Sequence, residues 1–93
     1  MRFAWDPRKA RADFRTHGVS FDEAATVFAD GLSTTIPDPD HSWGEERFVT
    51  LGVSLSQRLL VVCHTDNDGL IRIISARQAT SHERKQYENE AGS

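Results

Sequence analysis

Leu59-Leu-Val-Val-Cys-His-Thr-Asp-Asn-Asp-Gly-Leu-Ile-Arg-Ile-Ile-Ser-Ala-Arg77 reads as two apolar strands folded about one turn. Asp68-Gly69 is a dipeptide that tight hairpins select, because both central turn positions take positive φ. Residues 59–65 are apolar on both faces through Cys63, the pattern of a central strand. Residues 70–77 follow with another nearly continuous apolar run.

Outward from this hairpin the punctuation stays regular. On its C-terminal side, Thr80-Ser-His-Glu83 is a capping box that opens a helix to about Glu88. Residues 90–93 are expected to fray. On its N-terminal side, residues 47–53 form a strand with Arg47, Val49 and Leu51 on one face. Before it come a polar loop, residues 38–44, and a strand over residues 32–36 that Pro37 and Pro39 break. Ser20-Phe-Asp-Glu23 is a second capping box, with Val19 and Ala24 placed for a hydrophobic staple. Phe21, Ala24, Ala25 and Phe28 give that helix one apolar face, ending near Asp30-Gly31. The first helix starts at Asp6-Pro7, runs to about His17 and stops at Gly18. Residues 2–5 are a short strand.

The order β-α-α-β-β-β-β-α predicts an α+β fold with an antiparallel sheet of four to five strands. Two N-terminal helices and one C-terminal helix are expected on one face of that sheet, the other face remaining open. At 93 residues the chain is expected to be a single domain, residues 1–93. No apolar run approaches the roughly 20 residues of a membrane span. The single cysteine, Cys63, excludes an internal disulfide framework and a cysteine-based zinc cluster. A cytoplasmic protein is the expectation.

Net charge is −3, but the charges are segregated. Five bases stand against two acids in residues 1–20, and one against seven in residues 21–57. A basic face on an acidic protein is compatible with this distribution, as is a mixed, solvated surface. Arg8, Arg11 and Arg15, with Lys9 nearby, make a basic helix stripe suited to phosphates, to an acidic partner or to solvent. The acidic segment 38–46 reads as a mimic of nucleic acid, as a docking element for a basic partner or as a solvated loop.

Individual side chains carry chemistry. His64 alternates in phase with Leu60 and Val62 at the end of the central strand, where an imidazole suits proton transfer or a capped strand end. Arg77, in phase with Ile71, Ile73 and Ser75, needs an anionic partner: Glu83, six residues on, or a bound phosphate. Glu83 and Tyr87 share a helix face, either as an acid/base and a hydroxyl or as a cap and a packing ring. His17, His41, His64 and His82 form no recognised metal-ligand spacing, so no metal and no cofactor are expected. No glycine-rich phosphate loop or serine nucleophile elbow is present.

Five blocks, in order and with their spacing kept, carry a resemblance. They are Phe3-Ala-Trp-Asp6; His17-Gly-Val-Ser-Phe-Asp-Glu-Ala24; Asp38-Pro-Asp-His-Ser42 with Glu45-Glu-Arg-Phe48; Arg58-Leu-Leu-Val-Val62 with His64-Thr65; and Arg72-Ile-Ile-Ser-Ala-Arg77 with Ala79, Glu83 and Tyr87. Together they resemble the BrnT family of type II toxins. The resemblance implies a RelE-like fold and a toxin that cleaves RNA and inhibits translation. It also implies a BrnA-type antitoxin that covers the toxin and brings the complex to operator DNA.

In that setting a metal-independent endoribonuclease is expected. Arg77 and Arg47 would clamp phosphate, and His64 would move the proton with Glu83 or Tyr87 in support. Arg72, Lys9 and Arg58 would contact RNA. The net acidity and Asp66-Asn-Asp68 support another reading: a binding module of the same fold, catalytically weak or inactive, acting as co-repressor.

Overall fold

The structure, a computed structural model, describes residues 1–91. Its strands are β1 (Arg2–Ala4), β2 (Thr34–Pro37), β3 (Phe48–Val53), β4 (Leu59–Asn67) and β5 (Leu70–Gln78). Its helices are α1 (Pro7–His17), α2 (Phe21–Thr26) and α3 (Ser81–Ala91). One sheet holds all five strands in the order β1-β5-β4-β3-β2. β2 to β5 pair antiparallel, whereas β1 runs parallel to β5, so the sheet is mixed rather than purely antiparallel.

The expected strands differ from these mainly at their ends. β2 starts two residues late and includes Pro37, which an edge strand tolerates because its outward side needs no N–H donor. Arg47 stands just before β3. The hairpin arms are longer than predicted, running to Asn67 and from Leu70 to Gln78. Asp68 and Gly69 both have positive φ, 52° and 86°, as the turn demands. α2 ends at Thr26 and tightens into a 3₁₀ turn, Val27–Ala29. α3 continues through Glu90, which accepts a hydrogen bond from Thr34 at 2.8 Å. The fraying expected for the last residues concerns, beyond Ala91, positions outside the described residues.

Helix starts follow the caps. Asp6 accepts from the Arg8 N–H at 2.8 Å, and Gly18 takes the left-handed conformation that ends α1. At α3 the box is reciprocal: Thr80 Oγ1 accepts from the Glu83 N–H, and Glu83 accepts from the Thr80 N–H. At α2 only half forms. Ser20 accepts from the Glu23 N–H, but the Glu23 carboxylate turns to Ser54 and Arg58 instead.

Val19, Phe21, Ala24 and Val27 pack on Leu60, Val62, Ile71, Ile73 and Ala76, so α1 and α2 cover one sheet face. The expectation that all three helices share that face is corrected. α3 lies over the opposite face, where Glu83, Gln86 and Glu90 face Thr34, Ile36, Val49, Leu51 and Val61 across a cleft of about 260 Å³. α3 is too polar to seal that floor. Among the described residues, no helix is long and apolar enough to cross a membrane.

One irregularity arranges the other side chains. Cys63 pairs with Ser75 but His64 pairs with Ile73, so Ile74 is an extra residue in β5. Such a bulge reverses the alternation of the strand beyond it. The expected common phase of Ile71, Ile73, Ser75 and Arg77 is therefore broken. Ile71, Ile73 and Ala76 point into the core, while Arg72, Ser75 and Arg77 point to the less covered face.

Candidate active site

Beside β5, two adjoining hollows form a trough between the start of α1 and the loop before β3. At one end Asp6, Lys9, Arg47, Arg72, Ile73 and Ile74 line a space of about 250 Å³. Beside it, Asp38, His41, Arg47, Cys63, Ile74 and Ser75 line another of about 180 Å³. Arg47 and Ile74 belong to both. Three cations thus gather where β1, the start of α1, β5 and the entry to β3 meet. Arg47 Nε is buried and has no acceptor among the described residues. Such an orphan donor is uncommon, because leaving it unpaired costs about 1–3 kcal/mol. Arg72 is ion-paired with Glu45 from the loop before β3.

That loop is ordered by its own hydrogen bonds. The Asp38 N–H donates to Arg47 O at 2.8 Å, Ser42 Oγ donates to Asp38 O at 2.7 Å, and the Arg47 N–H donates to Ser42 Oγ at 3.0 Å. A 3₁₀ turn, Pro39–His41, lies within it. Trp43 projects from the loop 85% exposed.

Arg77 shares the face but has a partner. Its guanidinium grips Glu83 through two bonds, Nη1 to Oε1 at 2.8 Å and Nη2 to Oε2 at 2.9 Å. The Arg77 guanidinium holds the Glu83 carboxyl down at about 2. Of the partners that the sequence leaves open for Arg77, the Glu83 carboxylate is the one it binds within the fold.

His64 lies on the other face, 2% exposed. Its Nε2 meets Thr50 Oγ1 at 2.7 Å, and its ring packs edge-on against Phe28 and stacks with Phe48. Burial pushes its pKa below the ordinary histidine value. The sheet therefore separates His64 from Arg47, Arg72 and Arg77.

Tyr87 lines neither hollow and turns to Asp30. Its hydroxyl donates to Asp30 Oδ2 at 2.7 Å, which pushes the phenol up to about 12. Burial works to raise the Asp30 carboxyl, but donors from Tyr87, Val53 and Leu32 outweigh it and leave it lowered. Arg58 is bound to Glu23 and to Gly18 O, tying β4 to α2; that guanidinium lowers the Glu23 carboxyl. Of the eight residues singled out in the sequence, the fold brings Lys9, Arg47 and Arg72 together. Arg77 and Glu83 form a separate pair on the same face.

His41, one of four histidines without metal-ligand spacing in the sequence, is the histidine that shares a hollow with Arg47. Its Nδ1 lies 2.9 Å from Asp38 Oδ2. The signal was legible as Asp38-Pro-Asp-His41 next to Arg47, but only the folded loop shows which histidine meets the cations.

The model of a family described as the ribonuclease toxin BrnT of a type II toxin–antitoxin system matches residues 5–83. Among solved structures, the ribonuclease toxin BrnT of Brucella abortus superposes with a TM-score of 0.67 at 18% identity. The match covers 87% of this chain and 99% of that one. No curated protein sequence is close enough to count as a match.

Proposed function

The chain belongs to the BrnT family of ribonuclease toxins of type II toxin–antitoxin systems, and from that premise we propose that it cleaves single-stranded RNA on the trough face without a metal. Lys9, Arg47 and Arg72 receive the phosphate backbone. The observation that carries this reading is the hollow that the Arg47 guanidinium lines with Lys9 and Arg72. Its Nε has no acceptor among the described residues, so the fold itself does not pair that nitrogen. A phosphate oxygen is the acceptor that a planar arginine fork matches best. The exposed Trp43 offers a stacking surface for an unpaired base.

The chemistry is an in-line displacement. The ribose 2′-oxygen attacks the adjacent phosphorus, the O2′–P bond forms, and the P–O5′ bond breaks. The products are a cyclic phosphate and a 5′-hydroxyl. Fixed cations stabilise the charge that builds on the phosphoryl oxygens. In this reading His64, Glu83, Tyr87 and Arg58 hold the fold, and Arg77 is bound by Glu83 farther along that face.

A type II toxin has a protein antitoxin as its partner. We take that partner to be of the BrnA type, acting in the cytoplasm and carrying the complex to operator DNA, with translation arrest as the outcome of RNA cleavage. The helix-and-meander order supports assigning the fold to the RelE-like ribonucleases.

Purified protein incubated with labelled single-stranded RNA in a chelating buffer tests this directly. Cleavage leaving cyclic-phosphate ends is expected, falling by about 10²-fold in Arg47→Ala with an unchanged circular dichroism spectrum. Absence of cleavage, as a binding-only co-repressor would show, overturns the proposal. So does full activity in Arg47→Ala.

A further inference from the structure

We infer that His41, oriented by Asp38, takes the proton from the attacking 2′-hydroxyl, a role that rests on the ribonuclease reading above. An ionised carboxylate only accepts hydrogen bonds. The 2.9 Å contact between Asp38 Oδ2 and His41 Nδ1 therefore places the ring proton on Nδ1. In the neutral ring this leaves the Nε2 lone pair for a substrate, and at 69% side-chain exposure the ring is open to one.

Position supports the same role. His41 and Arg47 line one hollow, and Arg47 extends into the next with Lys9 and Arg72. A phosphate held on Arg47 has cations on one side and an imidazole on the other. The loop that carries His41 and Arg47 is braced internally, since Asp38, Ser42 and Arg47 are cross-linked by three hydrogen bonds of 2.7–3.0 Å, two of them through the Ser42 hydroxyl. A catalytic base needs this kind of held geometry.

The other histidines lack it. His64 spends its Nε2 on Thr50 behind the sheet. His17 and His82 lie near the ends of α1 and α3 and line neither hollow. The titratable or charged groups sharing the hollow with His41 are Asp38, Arg47 and Cys63; Asp40, Glu45 and Glu46 stand nearby on its own loop.

In the step, the 2′-hydroxyl proton moves to His41 Nε2 as the O2′–P bond forms. The P–O5′ bond breaks with its electron pair on O5′, which takes a proton from solvent water. The imidazolium then releases its proton to solvent.

The test compares His41→Ala and Asp38→Asn with the unmodified protein. It uses a cleavable RNA for rate and a 2′-O-methyl RNA of the same sequence for binding. His41→Ala is expected to lose about 10²–10⁴-fold in rate at unchanged RNA affinity. Added imidazole should restore part of that rate, with the pH profile of the rescue following the added base. Asp38→Asn should lose less, and imidazole should not rescue it. Full activity in His41→Ala, or loss that imidazole leaves untouched, overturns the role of His41 while cleavage by the unmodified protein upholds the ribonuclease reading. If the unmodified protein cleaves no RNA, both fall.

Discussion

Arg72 and Arg77 project from the same face of β5 although they stand an odd number of positions apart, because Ile74 stands in the strand as an unpaired extra residue. Simple alternation would have put them on opposite faces. The bulge leaves the core register of Ile71 and Ile73 intact and sends Ser75 and Arg77 to the less covered face. Of the two arginines, Arg77 is bound by Glu83 within the fold, whereas Arg72 meets Glu45 on a loop over the cation cluster.

That difference makes Glu45 a competitor for the phosphate site. Glu45→Gln should tighten binding of a non-cleavable RNA by about two- to fivefold, the range an exposed ion pair is worth. The salt dependence should steepen by up to about one phosphate contact. Fluorescence anisotropy at several salt concentrations measures both. Unchanged affinity would mean that Arg72 does not meet RNA.

Glu83 is held low by Arg77, so the pair contributes stability above the ordinary glutamate value of 4.5 and loses it as pH falls through about 2. Glu83→Gln should lower stability by about 1 kcal/mol at pH 7, because it removes the charge that the Arg77 fork binds while keeping an acceptor for the α3 cap. The gap from the unmodified protein should narrow steadily below pH 4.5. Urea unfolding at pH 7, 4 and 3 follows it. A gap independent of pH would place the effect in the cap alone.

Burial lowers the His64 pKa, so the unfolded chain binds its proton more readily than the folded one. Stability should therefore fall as pH drops below 6.5. His64→Gln should flatten that decline, whatever it costs at neutral pH. Thermal melts between pH 5 and 8 measure the slope. An equal slope in the variant would show that another group carries it.

Gly52 sits where β3 crosses the 3₁₀ turn after α2. A Cβ there would lie 2.8 Å from Val27 Cγ1 and 2.9 Å from Ser33 Cβ. Gly52→Ala should destabilise by about 1–3 kcal/mol through overpacking. The midpoint of urea unfolding reports it, and a shift within error would mean that the turn yields freely.

Local chemistry decided the elements. Asp6-Pro7, Gly18, the Thr80–Glu83 box and Asp68-Gly69 act through near neighbours, so each is legible as a string of residues. The apolar runs in β4 and β5 likewise announce a central hairpin. The family blocks, too, lie along the chain in order and mark the BrnT family without any tertiary contact.

Tertiary structure alone decided which side chains meet. Periodicity assigns a residue to a face only while the register is unbroken, and nothing local marks Ile74 as a bulge; it is defined by pairing with β4. The sequence therefore proposed His64 and Arg77 as one site, and the fold sets them on opposite faces of the sheet. Lys9, His41, Arg47 and Arg72 lie on separate segments, and only the closing of β1 on β5 and of the 38–47 loop on β3 brings them around shared hollows. Capping and turn preferences are energies of adjacent atoms and can be read in order along the chain. A site is a distance between residues far apart in the chain, and that distance exists only once the chain has folded.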